Sequence, residues 1–186
     1  SPAKLSVDGK RLETPNASAG LGYVKTTMTG ANLNTFTVDK TAPGTSWGSV
    51  YAQFTQRTTD IADASMGLSI KRELLYDGEL KVGSKVKVRI TITADRDYDF
   101  VQVVDKRAAC MEPANQLTGY RGGFYCSPRD NATYYYADMM PKGTHVVEST
   151  FYVDRPGTFT TGTCTVQCAY SPAYMARTKA LTITIK

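Results

Sequence analysis

Alternation of apolar and polar residues is the dominant pattern in the second part of the chain. Val86, Val88, Ile90, Ile92 and Ala94 alternate without a break against polar residues. A period of two residues places all five side chains on one face of a β-strand. The pattern therefore predicts an antiparallel strand with one buried face and one solvated face.

Six further segments are rich in the β-branched and aromatic residues that favour strands. They are residues 68–75, 100–105, 132–137, 145–153, 158–170 and 181–185. Turn signals such as Asp77-Gly78 and Arg155-Pro156-Gly157 separate them. Seven strands in about 119 residues are typical of a β-sandwich. No segment has a clear 3.6-residue stripe, and a short helix or turn is expected at most in residues 110–117.

The first part of the chain, residues 1–57, has fewer large apolar residues than the rest. Asp8-Gly9 between two short apolar runs predicts a hairpin, and residues 34–38 and 47–54 are further strand candidates, as is the segment at 20–24. So few large apolar residues make only a thin core. We therefore predict an incomplete β domain, followed by a linker at residues 58–67 and a complete β-sandwich domain at residues 68–186.

The distribution of charge and the hydropathy argue against a nucleic-acid-binding protein and against a membrane-spanning segment. The net charge of +5 is spread along the chain, which favours a solvated surface over a nucleic-acid or membrane surface. No apolar run reaches the roughly 18 residues of a membrane span. The chain begins at Ser1 without a methionine or a visible signal peptide, and is interpreted as a fragment whose export signal lies upstream.

Four cysteines permit two disulfides: Cys110, Cys126, Cys164 and Cys168. Cys164 and Cys168 lie in one strand-like run, about 13 Å apart in extended chain, so they cannot pair with each other. The favoured pairing is Cys126–Cys164 with Cys110–Cys168, and four buried free thiols are the open alternative. The spacing of Cys164 and Cys168 disfavours zinc.

The sequence gives little support for a catalytic site or a metal site. The single histidine, His145, begins a predicted strand and is expected to be structural rather than part of a Ser-His or Cys-His pair. Asp95, Asp97 and Asp99 could share a face and bind calcium, but the Gly and the distal Glu of a calcium loop are missing. We expect no catalytic residues, no metal and no cofactor.

A row of tyrosines supports an alternative function. Tyr134, Tyr136 and Tyr125 could form a flat aromatic platform, as in a stand-alone carbohydrate-binding or adhesin-like β-sandwich module. Alternation along a strand places Tyr135 on the opposite face from its two neighbours. Roles in the core and in an interface are therefore the simpler interpretation of the tyrosine run.

Several blocks, in their order and spacing, resemble the C-terminal macroglobulin-like domain of bacterial α2-macroglobulins, in particular the Bacteroidetes type. They are residues 95–103, 105–110, 112–121, 140–145, 154–159 and 165–174. Upstream, residues 46–54 resemble the end of the family's CUB-like domain. The resemblance covers residues 68–186 well and residues 1–57 moderately.

This resemblance implies an immunoglobulin-like or macroglobulin-like antiparallel β-sandwich, preceded by the C-terminal half of a CUB-like domain. The parent would be an extracytoplasmic protease inhibitor (periplasmic, secreted or anchored to the outer membrane). In such a protein the target protease cleaves the bait region, and the thioester domain then reacts with that protease. The partners implied are the thioester domain and the neighbouring macroglobulin domains, and target proteases through the parent. Tyr170, Pro172 and Tyr174 are the expected interdomain contact.

Two motifs depart from the family. The thioester motif of the family is Cys-Gly-Glu-Gln. This chain offers only Cys110-Met111-Glu112-Pro113, which lacks the acyl-donating Gln. No thioester is therefore expected in this chain. The block Tyr170-Ser171-Pro172-Ala173 lacks an acid that relatives have after the proline. Any role that depends on that acid does not transfer to this chain. Without bait region and thioester domain, this chain alone is not expected to inhibit proteases.

Overall fold

Two units divide the chain, with the boundary between Gln53 and Phe54. The computed structural model describes residues 3–12, 25–30 and 34–186. The strand candidate at residues 20–24 lies outside the described residues. The two units are therefore taken separately.

The first unit contains a small antiparallel sheet in the order β2-β1-β3. Its strands are β1 (Lys4–Val7), β2 (Lys10–Arg11) and β3 (Phe36–Asp39). Asp8 and Gly9 both have positive φ, 47° and 76°, as a two-residue type I′ hairpin turn requires. The predicted hairpin is confirmed.

Residues 47–54, which were predicted to form a strand, have no regular structure. Trp47 is 94% exposed and Tyr51 is 89% exposed. A strand persists only where a neighbour accepts its hydrogen bonds and covers its apolar side chains. No described strand of this unit pairs with residues 47–54. Their strand-like residue pattern alone was therefore not sufficient to predict a strand.

Thirteen strands and one 3-10 turn, Thr58–Asp60, form the second unit. The strands are β4 (Ala64–Met66), β5 (Leu68–Leu75), β6 (Lys85–Ala94), β7 (Tyr98–Lys106), β8 (Met111–Pro113), β9 (Gly119–Arg121), β10 (Phe124–Pro128), β11 (Ala132–Met140), β12 (Gly143–Val153), β13 (Gly157–Thr160), β14 (Cys164–Cys168), β15 (Met175–Thr178) and β16 (Thr182–Ile185).

Eleven of these strands follow one another in the order β8-β12-β6-β5-β4-β15-β14-β7-β11-β10-β9, and β13 pairs with β16. All pairings are antiparallel. The order folds over at β4, so that β12, β6 and β5 face β14, β7 and β11 across one core. The Tyr135 hydroxyl of β11 lies 2.7 Å from the Ser149 hydroxyl of β12 and joins the two layers. The predicted antiparallel β-sandwich is confirmed.

The core has the periodicity that the sequence predicted. Val86, Val88, Ile90, Ile92 and Ala94 of β6 are all at most 2% exposed, and the residues between them face outward. Burying a Val or Ile side chain stabilises the fold by roughly 1.5–3 kcal/mol. Because all five lie on one face, a shift of the register by one residue would expose the whole set.

Three predicted boundaries change in the structure. The stretch 158–170 contains two strands that belong to different sheets, and between them Thr161 and Gly162 accept hydrogen bonds from Arg72. Residues 110–117 contain strand β8 and no helix. Within the expected linker, 58–67, strand β4 pairs with β15 and so belongs to the second unit. The identity of residues 1–57 as half of a CUB-like domain stays a prediction.

Candidate functional site

A depression of about 350 Å³ lies where the β6–β7 turn meets the loop between β14 and β15. It contains Tyr170 and Tyr174, two of the three residues singled out from the sequence. Its lining residues are Arg96, Asp97, Tyr98, Asp99, Phe100, Cys168, Tyr170, Ser171 and Tyr174. We refer to Arg96, Tyr98, Phe100, Tyr170 and Tyr174 as the aromatic surface.

The loop at residues 169–174 is closed by its own hydrogen bonds. The Tyr174 amide donates to the Ser171 carbonyl at 3.0 Å, and the Cys168 amide donates to the Tyr174 carbonyl at 3.1 Å. The Gln167 side-chain amide donates to the Pro172 carbonyl at 3.0 Å. These bonds satisfy polar backbone groups that would otherwise favour other loop conformations. The loop therefore presents its side chains from a defined backbone.

Tyr174 lies between a buried ring and a cation. Its ring centroid is 5.5 Å from that of Tyr98, with a tilt of 57° between the planes. The Arg96 guanidinium carbon lies 5.2 Å from the centroid of the Tyr174 ring. Tilted aromatic pairs and cation–π contacts of this length are both attractive. Tyr174 is thereby held from two sides.

Asp95 connects the charged and aromatic parts of the aromatic surface. Arg96 donates two hydrogen bonds to its carboxylate, at 3.0 and 2.9 Å, and the Tyr98 hydroxyl donates a third at 2.6 Å. These bonds, that from Arg96 first, lower the pKa of Asp95 to about 2. Burial, and then the bond to Asp95, raises the pKa of Tyr98 to about 12. At neutral pH the carboxylate is ionised and the phenol is a donor.

An NMR titration of the Asp95 carboxyl carbon should give a pKa of about 2, and Arg96→Met should raise it toward the ordinary 3.8. A pKa that is lowered on folding adds stability above the unfolded value of 3.8, and this stability is lost as the pH falls toward about 2. Arg155→Met, which removes a similar pair with Asp154, is the control and should leave the Asp95 titration unchanged. An Asp95 titration unaffected by Arg96→Met would contradict this account.

Tyr170 is 79% exposed and is supported by one other ring. The Phe100 ring centroid lies 5.1 Å away, in an edge-to-face arrangement at 86°. Phe100 itself has φ of +54°, in the left-handed region that non-glycine residues rarely adopt. Its carbonyl accepts the Ala169 amide at 2.8 Å, which ties the start of the loop to β7.

The sequence identified only part of this site. Tyr170 and Tyr174 lie in the aromatic surface, whereas Pro172 is exposed and contributes its carbonyl to the loop. The roles of Asp95, Tyr98 and Phe100 were missed. Arg96 pairs with the Asp95 carboxylate because the chain turns there, between β6 and β7. A left-handed residue at Phe100 has no signal in the sequence, since neither Gly nor Asn marks it.

The cysteines do not adopt the favoured pairing, because all four are buried free thiols. Cys164 on β14 and Cys126 on β10 are separated by β7 and β11. Three strand spacings put their Cα atoms about 14 Å apart or more, beyond the roughly 7 Å limit for a disulfide. Cys168 lies beside Val101 near the start of β7, whereas Cys110 follows the end of that strand. The pairing depends on the order of the strands in the sheet, and the spacing of the cysteines in the sequence does not give that order.

Burial also makes three of these thiols poor nucleophiles. It raises the pKa of Cys110, Cys126 and Cys164, and a thiol reacts through its thiolate.

His145 bonds through its Nε2 atom to the Pro141 carbonyl at 2.7 Å, as a structural histidine does. Among the described residues, no three His, Cys, Asp or Glu side chains form a group that could hold a metal ion. Nor does that part of the chain contain a helix long and apolar enough to cross a membrane.

Two of the three tyrosines considered for a platform, Tyr134 and Tyr136, stack on each other near the surface. Tyr134 and Tyr136 have nearly parallel rings, 6.3 Å apart and 11° in tilt. Tyr125 is the cross-strand partner of Tyr136 and packs edge-to-face on Tyr120 at 5.2 Å. The buried Tyr135 points to the opposite face, as alternation predicts.

Comparisons with known proteins agree with this fold. The family model of the bacterial alpha-2-macroglobulin MG10 domain matches residues 53–173, roughly two thirds of the chain. Among curated proteins, no significant match is found. The crystal structure of Salmonella alpha-2-macroglobulin reacted with methylamine has a TM-score of 0.59 and 22% identity, over 68% of this chain and 10% of that chain.

Two structures of the Escherichia coli protein are similar to the same extent. The native conformation has a TM-score of 0.61 at 17% identity, over 68% of this chain and 10% of that chain. The native structure from domain MG7 to the C-terminus has a TM-score of 0.60 at 18% identity, over 69% of this chain and 25% of that chain. The chain thus spans about a tenth of the longer relatives. At such identities the likeness concerns the fold, while the family model covers most of the second unit, and together they establish that this chain belongs to the bacterial alpha-2-macroglobulin MG10 domain family.

Proposed function

We propose that this chain is a non-catalytic part of an extracytoplasmic alpha-2-macroglobulin-like protease inhibitor, and that its MG10 domain docks on the thioester domain of the parent and shields the thioester. The aromatic surface is the proposed contact. The observation that carries the proposal is Tyr170, a ring that is 79% exposed on a loop whose backbone is closed by hydrogen bonds. Target proteases are met by the parent and not by this chain.

The chemistry of the partner explains why an aromatic surface is suitable. A thioester is an activated acyl group that water and amines attack, so it persists only where both are excluded. A tyrosine ring covers a large area with few rotatable bonds and tolerates a wet edge at its hydroxyl. Tyr170 presents such a ring, and Tyr174 lines the depression beside it. Once the domains separate, the same thioester becomes accessible to nucleophiles.

The first unit supports the proposal that the chain is part of a larger assembly. Among its described residues, Val7 is the one buried hydrophobic side chain, whereas Trp47, Val50 and Tyr51 are exposed. A sheet of this size has too little apolar burial to be stable alone. We propose that residues 1–57 are half of a CUB-like domain, completed by another segment of the parent.

Tyr170→Ala in the full-length parent should increase incorporation of a fluorescent primary amine into the uncleaved protein by about tenfold. The reason is that the exposed ring, and the water it excludes, would be lost at the proposed contact. Initial rates of incorporation, measured from bands on a denaturing gel, test the proposal. They must be normalised to the amine bound after complete denaturation.

Tyr120→Ala is a matched control, because Tyr120 is 76% exposed and also packs edge-to-face on another ring. Its rate of amine incorporation should equal that of the unmodified parent. Equal rates for Tyr170→Ala and the unmodified parent would remove the shielding role. A parent that incorporates no amine at all, even after proteolysis, would remove the thioester from the proposal.

The stand-alone carbohydrate-binding module remains a weaker second candidate. The near-parallel rings of Tyr134 and Tyr136 favour it, but it does not account for the family match. Tyr120 and Tyr125 meet at 70°, so the row is not one flat platform. The shielding role explains more of the observations.

A further inference from the structure

We propose that Phe100 and Arg96 are positioning residues, which fix the rings of Tyr170 and Tyr174 before a partner domain docks. The inference rests on the proposed function for its biological purpose. Its structural content does not depend on that function, because the ring geometry can be measured in this chain alone.

The first argument is the arrangement of Phe100. Its left-handed backbone is unfavourable for a large side chain, and its ring remains 50% exposed, so burial does not offset that strain. Tyr135 and Phe151, at 1% exposure each, are by contrast covered by the core. What the strained residue gains is the ring contact with Tyr170 and the hydrogen bond that its carbonyl accepts from the Ala169 amide.

The second argument is that Arg96 is itself held in place. Two hydrogen bonds to Asp95 fix the plane of its guanidinium, and that carboxylate is fixed in turn by the Tyr98 hydroxyl. Tyr174 therefore packs on a cation whose orientation is already determined. A long exposed side chain without such bonds would sample many rotamers and would position nothing.

The third argument is the lack of space behind the rings. A Cβ atom at Gly67 would overlap the Tyr98 hydroxyl and would lie 2.8 Å from the Tyr174 Cδ1 atom. The Gly67 carbonyl also accepts the Asp95 amide at 3.1 Å. Tyr174 and Tyr98 are thus packed directly on backbone, which leaves their rings little freedom to shift.

The two positioned rings create a preformed surface. A partner that binds a preformed surface loses less conformational entropy than one that must order flexible side chains. Tyr170 is the more exposed of the two and depends on a single ring for support. Phe100 is therefore the residue at which the inference is tested most directly.

The test in this chain uses NMR of ¹³C-labelled tyrosine rings and the variants Phe100→Asn and Phe100→Tyr. Asparagine tolerates a left-handed backbone and removes the ring, so the loop is kept while the contact is lost. We expect Phe100→Asn to move the Tyr170 ring signals toward those of a free tyrosine, and Phe100→Tyr to restore them. Arg96→Met should do the same for Tyr174. Tyr120 signals should stay fixed in every variant and so report an intact fold.

The test in the full-length parent is a double-mutant cycle on amine incorporation. Phe100→Asn should raise the rate about twofold to tenfold, the range that an edge-to-face pair accounts for. In the Tyr170→Ala background the same change should add nothing, because the ring that it positions is gone. Fully additive effects would overturn the inference.

The two experiments separate the inference from the proposed function. If Phe100→Asn leaves the Tyr170 ring signals unchanged, the positioning role is overturned, whatever the rates show. If those signals change as expected but Tyr170→Ala has no effect on amine incorporation, the positioning role stands and the shielding function is overturned.

Discussion

Asp105→Ala should lower the free energy of unfolding of the MG10 domain by about 3–5 kcal/mol, because it leaves the Arg72 guanidinium buried without its counter-ion. Both side chains are at most 2% exposed, and Arg72 Nη1 lies 2.8 Å from Asp105 Oδ1. Removing one partner of such a pair costs far more than its net contribution, since the remaining charge has lost its solvation.

The rest of the network shows why the charge cannot move out to solvent. Arg72 Nη2 donates to the carbonyls of Gly162 and Lys179, at 2.8 and 3.0 Å, and to the Thr161 hydroxyl at 2.8 Å. Arg72 thereby joins β5 and β7 to the loops that precede β14 and β16. Burial raises the pKa of Asp105, while the guanidinium acts in the opposite direction. The network therefore connects the two layers of the sandwich.

Urea denaturation followed by far-ultraviolet circular dichroism at neutral pH is the measurement. Glu79→Ala is the control, because it breaks an exposed ion pair with Lys186 that should contribute less than about 1 kcal/mol. The double variant Arg72→Met with Asp105→Leu should be more stable than Asp105→Ala, since no unpaired charge remains. Equal losses for Asp105→Ala and Glu79→Ala would contradict the role assigned to the network.

Gly67→Ala is expected to have the second largest effect, a loss of roughly 2–5 kcal/mol in the free energy of unfolding. Part of it is backbone strain, since Gly67 has φ of +72° and left-handed alanine costs about 1–2 kcal/mol. The remainder is overpacking of about 1–3 kcal/mol against the Tyr98 hydroxyl and the Tyr174 ring.

Gly78→Ala separates the two contributions, because Gly78 has φ of +62° and a Cβ atom added there would have nothing within 4 Å. It should show the strain and no overpacking, so the difference between the two losses isolates the packing behind the aromatic surface. Denaturation curves of both variants give that difference. If Gly67→Ala costs no more than Gly78→Ala, the rings are not packed on Gly67 as described.

The fold was largely predictable because burial in β-strands has a period of two. The alternation over β6 gave its buried face residue by residue, and the Asp8-Gly9 hairpin followed from turn chemistry alone. Arg72 and Asp105 occupy inward positions of β5 and β7, where the pattern predicts apolar residues. Only the packing of β5 against β7 across the core shows that these two charges meet.

The site was predictable only to the extent that a family resemblance marked it. Tyr170 and Tyr174 were singled out in this way, but the strained backbone of Phe100 and the turn that pairs Asp95 with Arg96 depend on tertiary contacts. The cysteine pairing failed for the same reason, since two intervening strands between Cys126 and Cys164 are not visible in the spacing. Local patterns specify faces and turns, whereas sheet order specifies which faces meet.

In mechanical terms, β7 shares any load applied to the aromatic surface with β14 and β15, whose connecting loop contains Tyr170 and Tyr174. Tyr98 and Phe100 lie at the start of β7, and it is paired with β11 along nearly its whole length and with β14 along its second half. A pull along the strand must shear both ladders together, and at the far end Asp105 bonds to Arg72 in the other layer. We therefore expect a partner domain docked here, as proposed, to detach before the sheet yields, with the MG10 domain still folded.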